Sequence, residues 1–171
     1  NIINNKNFLY NKIKSIYKTI QKDFKINQPN LLISGLNPHC GENGKVGIEE
    51  IKYINPIIKK LNINKYKVTG PVSADSMLNT HNLKKFDCFI YFYHDQALIP
   101  FKYISKFSGI NYTGNLSIIR VSPDHGTAYD LVGKNQASDK SLIKCFKLIN
   151  TIKKNRYKYE NSKKISKSKL Y

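Results

Sequence analysis

Leu31-Leu32-Ile33-Ser34-Gly35-Leu36-Asn37-Pro38-His39-Cys40-Gly41-Glu42-Asn43-Gly44 is the stretch on which the fold turns. Its first half is a short apolar run that follows the breaker Gln28-Pro29-Asn30, so it reads as a buried strand. Its second half reads as a loop in which Pro38 fixes the backbone while Gly41 and Gly44 permit unusual dihedrals. A second apolar run, Phe89-Ile90-Tyr91-Phe92, leads in the same way into Tyr93-His94-Asp95-Gln96. The carboxyl ends of strands are where ligands and metals collect in an open α/β sheet. Two imidazoles delivered to that edge could bind one divalent metal.

Around these runs the periodicity changes. Phe8, Leu9, Ile13, Ile16, Tyr17, Ile20 and Phe24 recur at three- and four-residue spacing, which predicts an amphipathic helix ending near Asn27. Residues 46–61 read as a helix with Glu49 and Glu50 near its start and Lys59 and Lys60 near its end, as the helix dipole favours; Pro56 should kink it. A short strand at 67–69 and a turn at Gly70-Pro71 follow, then a helix over 74–83, a strand over 88–93 and a helix over 97–104. Residues 110–113 and 116–121 suggest a hairpin around Gly114-Asn115. Residues 124–133 form a loop and a short helix. Ser138 can cap a last helix over 140–154 with an apolar face of Leu142, Ile143, Phe146, Leu148, Ile149 and Ile152. Strands alternating with helices mean an α/β fold with a mixed, largely parallel sheet. No internal repeat is visible.

The 171 residues suit one domain, placed at 1–152, followed by a lysine-rich tail at 153–171. No apolar run approaches a membrane span, and the start lacks a signal-peptide core. Cys40, Cys88 and Cys145 lie far apart without CxxC spacing, so a reducing cytoplasm is the simplest home. The net charge of +18 raises the alternative of a basic nucleic-acid-binding module. Only Arg120 and Arg156 are arginine, however, and the scattered lysines accompany abundant Asn, Ile and Tyr, a bias that AT-rich codons also produce. From Lys153 onward eight basic residues face Glu160 alone, which reads as a solvated or frayed end. The opening Asn1, in place of methionine, points to a missing amino-terminal portion.

Several residues carry candidate chemistry. His39 sits where a loop can aim it at a ligand, the plain alternative being an incidental histidine in a turn. His94 is followed by Asp95, which could orient the ring or act as a base; the alternative is a core histidine satisfied by backbone. Lys102, Asn111 and Arg120 are polar residues in apolar surroundings. Arg120 ends the run Leu116-Ser117-Ile118-Ile119, where burial calls for an anion, either a substrate phosphate or carboxylate or a structural salt bridge. The segment from Asp124 to Lys134, DHGTAYDLVGK, can wrap a nucleotide with backbone amides, although neither a GxGxxG nor a P-loop is present. His81 reads as a surface residue.

Together the stretches LNPHCGENGKVGIEE (36–50), GPVSADSM (70–77), YHDQALIPFKY (93–103) and IRVSPDHGTAYDLVGK (119–134) resemble the 4-hydroxythreonine-4-phosphate dehydrogenase family of pyridoxal phosphate biosynthesis. The resemblance runs from about residue 31 to residue 148. It implies the α/β/α layers of isocitrate and isopropylmalate dehydrogenases, whose adenine-binding loop HGTAYDLVGK also resembles. It implies that His39 and His94 are two of three histidines binding a divalent metal (Zn, Mg or Co), and that Lys102, Asn111 and Arg120 contact substrate. His125, Gly126 and Thr127 would form the NAD loop, with Asp130 on the ribose diol, and Lys102 and Asp95 are candidates for proton transfer.

The implied reaction is NAD-dependent oxidation and decarboxylation of 4-phosphooxy-L-threonine, a small phosphorylated hydroxy-amino acid, to 3-amino-2-oxopropyl phosphate. The implied assembly is a cytoplasmic homodimer with the metal at its interface, without nucleic acid or membrane. A relative oxidising 4-phospho-D-threonate or 4-phospho-D-erythronate would use the same residues. The family's third metal histidine and a substrate-binding His-Thr pair precede the matched region, and residues 1–30 contain no histidine. The expectation is therefore a carboxy-terminal fragment that binds metal weakly and does not turn over alone.

Overall fold

The structure, a computed structural model, describes residues 5–168 except 107, with the side chains of 130 and 163–168 left aside. It divides into two compact units, one running to Gln21 and over Ile26–Pro100, the other comprising Lys22–Lys25 and the chain from Phe101 on.

The first unit is built on β1 (Asn30–Ser34), flanked by β2 (Lys67–Val72) and β3 (Cys88–Ile90) in the order β2-β1-β3, with both pairings parallel. Four consecutive residues of β1 are buried, as a central parallel strand covered on both faces requires. Side chains alternate along a strand, so Leu31 and Ile33 enter one core cluster while Leu32 joins Met77 and Phe86 in another. The larger cluster takes Leu9, Ile13, Tyr17 and Ile20 from α1 (Lys6–Asp23), the helix that the sequence spacing predicts. It also takes Ile57, Ile58 and Leu61 from α2 (Asn55–Ile63).

Four local expectations change here. The helix expected over 46–61 becomes a wide turn, Glu50–Ile54, leading into α2. Pro56 lies in the first turn of α2, where a missing N–H costs nothing, so it opens the helix and does not kink it. Gly70-Pro71 lies inside β2, not in a turn, and the ladder to β1 shifts register there. Gly70 has φ 127, and a Cβ on it would stand 2.4 Å from the Ile33 carbonyl oxygen, so only glycine fits. The helix expected over 74–83 is a short turn at Ala74–Ser76 followed by α3 (Thr80–Lys85), capped by the Asn79 side chain accepting from the Asn82 amide.

α4 (His94–Ser105) begins in the first unit and ends in the second. The second unit contains the antiparallel pair β4 (Ile110–Thr113) and β5 (Arg120–Pro123) and the long helix α5 (Lys140–Ser168). The hairpin exists, but its second strand starts at Arg120 and not at Leu116. The reason is distant in sequence: Arg156 Nη1 donates to the carbonyls of Leu116 (3.1 Å), Ser117 (3.1 Å) and Ile118 (3.3 Å), which therefore do not join the ladder.

The same guanidinium is buried against Asp23, with Nε 2.6 Å from Oδ1 and Nη2 3.0 Å from Oδ2. Tyr112 donates its hydroxyl to Asp23, and burial together with that carboxylate pushes the phenol up to about 12. The lysine-rich segment expected to fray from Lys153 is thus helical through Ser168, and Arg156 is one of its buried anchors. The buried stripe of α5 is Ser141, Cys145, Ile152 and Arg156, whereas Leu142, Ile143 and Phe146, expected on the apolar face, are exposed.

Candidate active site

His39 lies five residues beyond β1 and His94 four beyond β3. Because β1 and β3 are adjacent and parallel, both histidines emerge at the same carboxyl edge. Both are exposed, which removes the alternative of His94 as a backbone-satisfied core residue. The His39 ring has Nδ1 3.6 Å from Glu42 Oε1.

The loop carrying His39 is unusual. Cys40, Gly41, Glu42, Asn43 and Gly44 all have positive φ, from 44 to 93, three of them without being glycine. Such left-handed geometry costs a non-glycine residue about 1–2 kcal/mol, and strain of this kind gathers at functional sites. The loop closes through the Asn37 side chain, whose Oδ1 accepts from the His39 amide (2.8 Å) and whose Nδ2 donates to the Val46 carbonyl (3.2 Å).

A cleft of about 460 Å³ opens beside the two histidine segments, lined by Pro38, Ala74, Asp75, Leu78, Asp95, Gln96, Ile99 and Pro100. Asp95 is exposed and lines the cleft. Gln96 contributes a buried Oε1 with no hydrogen-bond partner among the described residues. Asp75 was not singled out from the sequence, although it lies in the GPVSADSM stretch directly after β2. Imidazole and carboxylate are donor types suited to divalent metals, but neither His39 nor His94 is among the residues lining the cleft. Among the described residues no group of three such side chains converges to hold a metal on its own.

The three thiols are free, and burial raises all of them, Cys88 to about 11. Such thiols are poor nucleophiles near neutrality.

In the second unit Lys102 Nζ stands 3.5 Å from Asp124 Oδ1 and 3.4 Å from the Asp124 carbonyl oxygen. Asp124 is mostly buried, and its Oδ2 has no hydrogen-bond partner among the described residues. Asn111 and Arg120 lie on the hairpin, where Asn111 pairs with Ser122 and Thr113 with Arg120. Period-2 alternation puts all four on one face, with Tyr112 on the other. Arg120 is exposed, contrary to the burial expected from its apolar neighbours; its Nη1 donates to Thr113 Oγ1 (2.8 Å). Neither sequence alternative for Arg120 is settled by burial, but an exposed, oriented guanidinium is available to an anion.

His125, Gly126 and Thr127 line a separate cleft of about 360 Å³ with Ala128, Leu131, Val132, Ala137 and Ser138. A Cβ on Gly126 would meet nothing within 4 Å, which leaves the loop backbone open to approach. Asp130 sits in the turn Tyr129–Leu131, and its side chain lies outside the described residues.

A parallel unit with its cleft at the strands' carboxyl edge, and a second unit carrying a loop-lined cleft of its own, define an α/β protein of the dehydrogenase-like class. The comparisons make this specific. The profile of the pyridoxal phosphate biosynthetic protein PdxA matches residues 2–149, and the chain belongs to that family. It is 41% identical over 137 residues to a 4-hydroxythreonine-4-phosphate dehydrogenase of Ruegeria sp., covering 80% of this chain and 42% of that protein. A Wigglesworthia glossinidia brevipalpis protein of the same name is 42% identical over 144 residues, covering 84% and 43%. The crystal structure of the Klebsiella pneumoniae 4-hydroxythreonine-4-phosphate dehydrogenase matches with a TM-score of 0.72 at 30% identity, over 86% of this chain and 45% of that one. A terephthalate 1,2-cis-dihydrodioldehydrogenase from Burkholderia xenovorans shares the fold, with a TM-score of 0.65 at 27% identity over 85% and 46%. The chain thus spans less than half the length of the relatives it matches.

Proposed function

We propose that this chain forms part of an NAD-dependent 4-hydroxythreonine-4-phosphate dehydrogenase, converting 4-phosphooxy-L-threonine and NAD to 3-amino-2-oxopropyl phosphate, carbon dioxide and NADH. The observation that carries it is the placement of His39 and His94 at one carboxyl edge, beside a cleft bordered by their sequence neighbours. The relatives from Ruegeria and Wigglesworthia, both 4-hydroxythreonine-4-phosphate dehydrogenases, favour this substrate over 4-phospho-D-threonate or 4-phospho-D-erythronate and lend no support to a nucleic-acid-binding module.

His39 and His94 would hold a divalent metal (Zn, Mg or Co) with at least one donor from beyond them. When bound, the metal would supply Lewis acidity at the substrate's hydroxyl and carboxylate, and NAD would accept the hydride. Asp95, which lines the cleft, would take the hydroxyl proton. Arg120 and Asn111, on one hairpin face, would bind the phosphate, the guanidinium held in place by Thr113. Lys102, kept in place by Asp124, would bind the substrate's anionic end and relay a proton during decarboxylation.

The cleft at His125, Gly126 and Thr127 has apolar walls for a purine and exposed backbone for phosphates, and Asp130 is proposed for the ribose diol. A homodimer completing the metal site is part of this reading; the exposed Leu142, Ile143 and Phe146 offer surface for a second copy. Among the described residues no helix is long and apolar enough to cross a membrane, and we place the protein in the cytoplasm, where free thiols persist.

The test is a double-mutant cycle on zinc affinity in the natively encoded protein. Two ligands of one ion should be strongly non-additive: His39→Ala and His94→Ala should each weaken binding greatly, the pair adding little. Additive, independent losses would show that the histidines do not share an ion.

A further inference from the structure

We propose that Glu50 is the positioning residue for the His39 loop: the Oε1 of its buried carboxylate ties the chain leaving β1, at Leu36 and Asn37, to the wide turn that precedes α2, while its Oε2 has no hydrogen-bond partner among the described residues. The role in metal binding rests on His39 being a ligand, as argued above. The strap itself stands on geometry alone.

Glu50 is only 2% exposed. Its Oε1 accepts from the amides of both Leu36 and Asn37, each at 2.8 Å, just where the chain leaves β1. Charge-assisted bonds of this kind are about twice as strong as neutral ones. Asn37 then passes the constraint on, bonding the His39 amide and the Val46 carbonyl through its own side chain. The carboxylate lies between two glycines. A Cβ on Gly35 would stand 3.1 Å from Oε1 and 2.6 Å from Cys40 Sγ; one on Gly41 would stand 3.0 Å from Oε2 and 2.4 Å from the Gly47 carbonyl oxygen. Five consecutive positive-φ residues do not hold themselves, because each non-glycine among them favours a different backbone. Something must over-determine the loop, and Glu50 is the buried group that bonds its entry.

The sequence already showed an acid here, but it read as a helix-dipole residue. The structure gives it a tertiary function, since neither of its two amide partners belongs to its own helical segment.

Reach separates this role from mere burial of charge. Glu50→Asp keeps the charge and shortens the side chain by a methylene, so one carboxylate oxygen no longer serves both amides. Glu50→Gln keeps the reach and loses the charge. Amide hydrogen exchange in the natively encoded protein should therefore rise about tenfold or more at Leu36 and Asn37 in Glu50→Asp, and less in Glu50→Gln, with Leu32 in β1 unchanged. Zinc affinity should fall in the same order, by roughly 10–100-fold in Glu50→Asp, the usual effect of losing a group that orients a ligand. Wild-type exchange at Leu36 and Asn37 in Glu50→Asp, or an equal rise at Leu32, would overturn the proposal. If His39→Ala leaves zinc affinity intact while Glu50→Asp still frees the two amides, the metal reading fails and the strap stands. If His39→Ala abolishes binding and Glu50→Asp changes neither readout, the metal reading survives and the strap fails.

Discussion

At the residue scale, the site divides into side chains that a motif announces and side chains that only tertiary structure recruits. The position of His39, His94 and Asp95 at the carboxyl edge was legible because each follows an apolar strand. Asp75, Gln96 and Glu50 were not, since nothing local distinguishes a cleft-lining polar side chain or a buried strap from a solvated one. Lys102 sits between these cases. The sequence marks it as a lysine among apolar residues, but only the structure supplies Asp124, 22 positions away, as its neighbour. A lysine that binds and also relays a proton should affect both kinetic constants. Lys102→Met is expected to raise KM for the phosphorylated substrate and lower kcat by about 10²–10⁴-fold, the usual general acid–base range. A change confined to KM would leave Lys102 a binding group only.

At the element scale, β1, β3 and α1 follow from hydrophobic pattern; the spacing that predicts α1 selects Leu9, Ile13, Tyr17 and Ile20, which are core, but also Phe8 and Phe24, which are exposed. Two of the departures in the second unit share a cause, a distant polar group that redirects the backbone. Residues 116–118 look like strand, yet their carbonyls are taken by Arg156, some forty positions on. The charged end of α5 looks like a frayed tail, yet Arg156 is buried on Asp23. Composition reports what a segment is made of, not which single residue in it finds a partner. Removing that partner leaves Asp23 charged, buried and short of its main counter-ion. Arg156→Leu should cost about 3–5 kcal/mol in urea-induced unfolding, the range for breaking a buried pair on one side. A loss under about 1 kcal/mol would mean the pair behaves like an exposed one.

At the scale of the whole molecule, the net charge of +18 is a poor guide to function. It is spread over lysines on a fold whose relatives carry the names of dehydrogenases of a small phosphorylated amino acid. That charge does suit anionic ligands in general, because a positive field raises their local concentration and speeds encounter. The two units carry different parts of the proposed chemistry, the histidine edge in one and the hairpin face with the glycine loop in the other. The most direct measurement is steady-state NADH formation by the natively encoded protein with 4-phosphooxy-L-threonine, 4-phospho-D-threonate and 4-phospho-D-erythronate, with and without added zinc. The expected result is that kcat/KM is highest for 4-phosphooxy-L-threonine, and that His94→Ala lowers it by at least 100-fold. Turnover preferring either sugar-acid phosphate, or a His94→Ala protein as active as the parent, would contradict it.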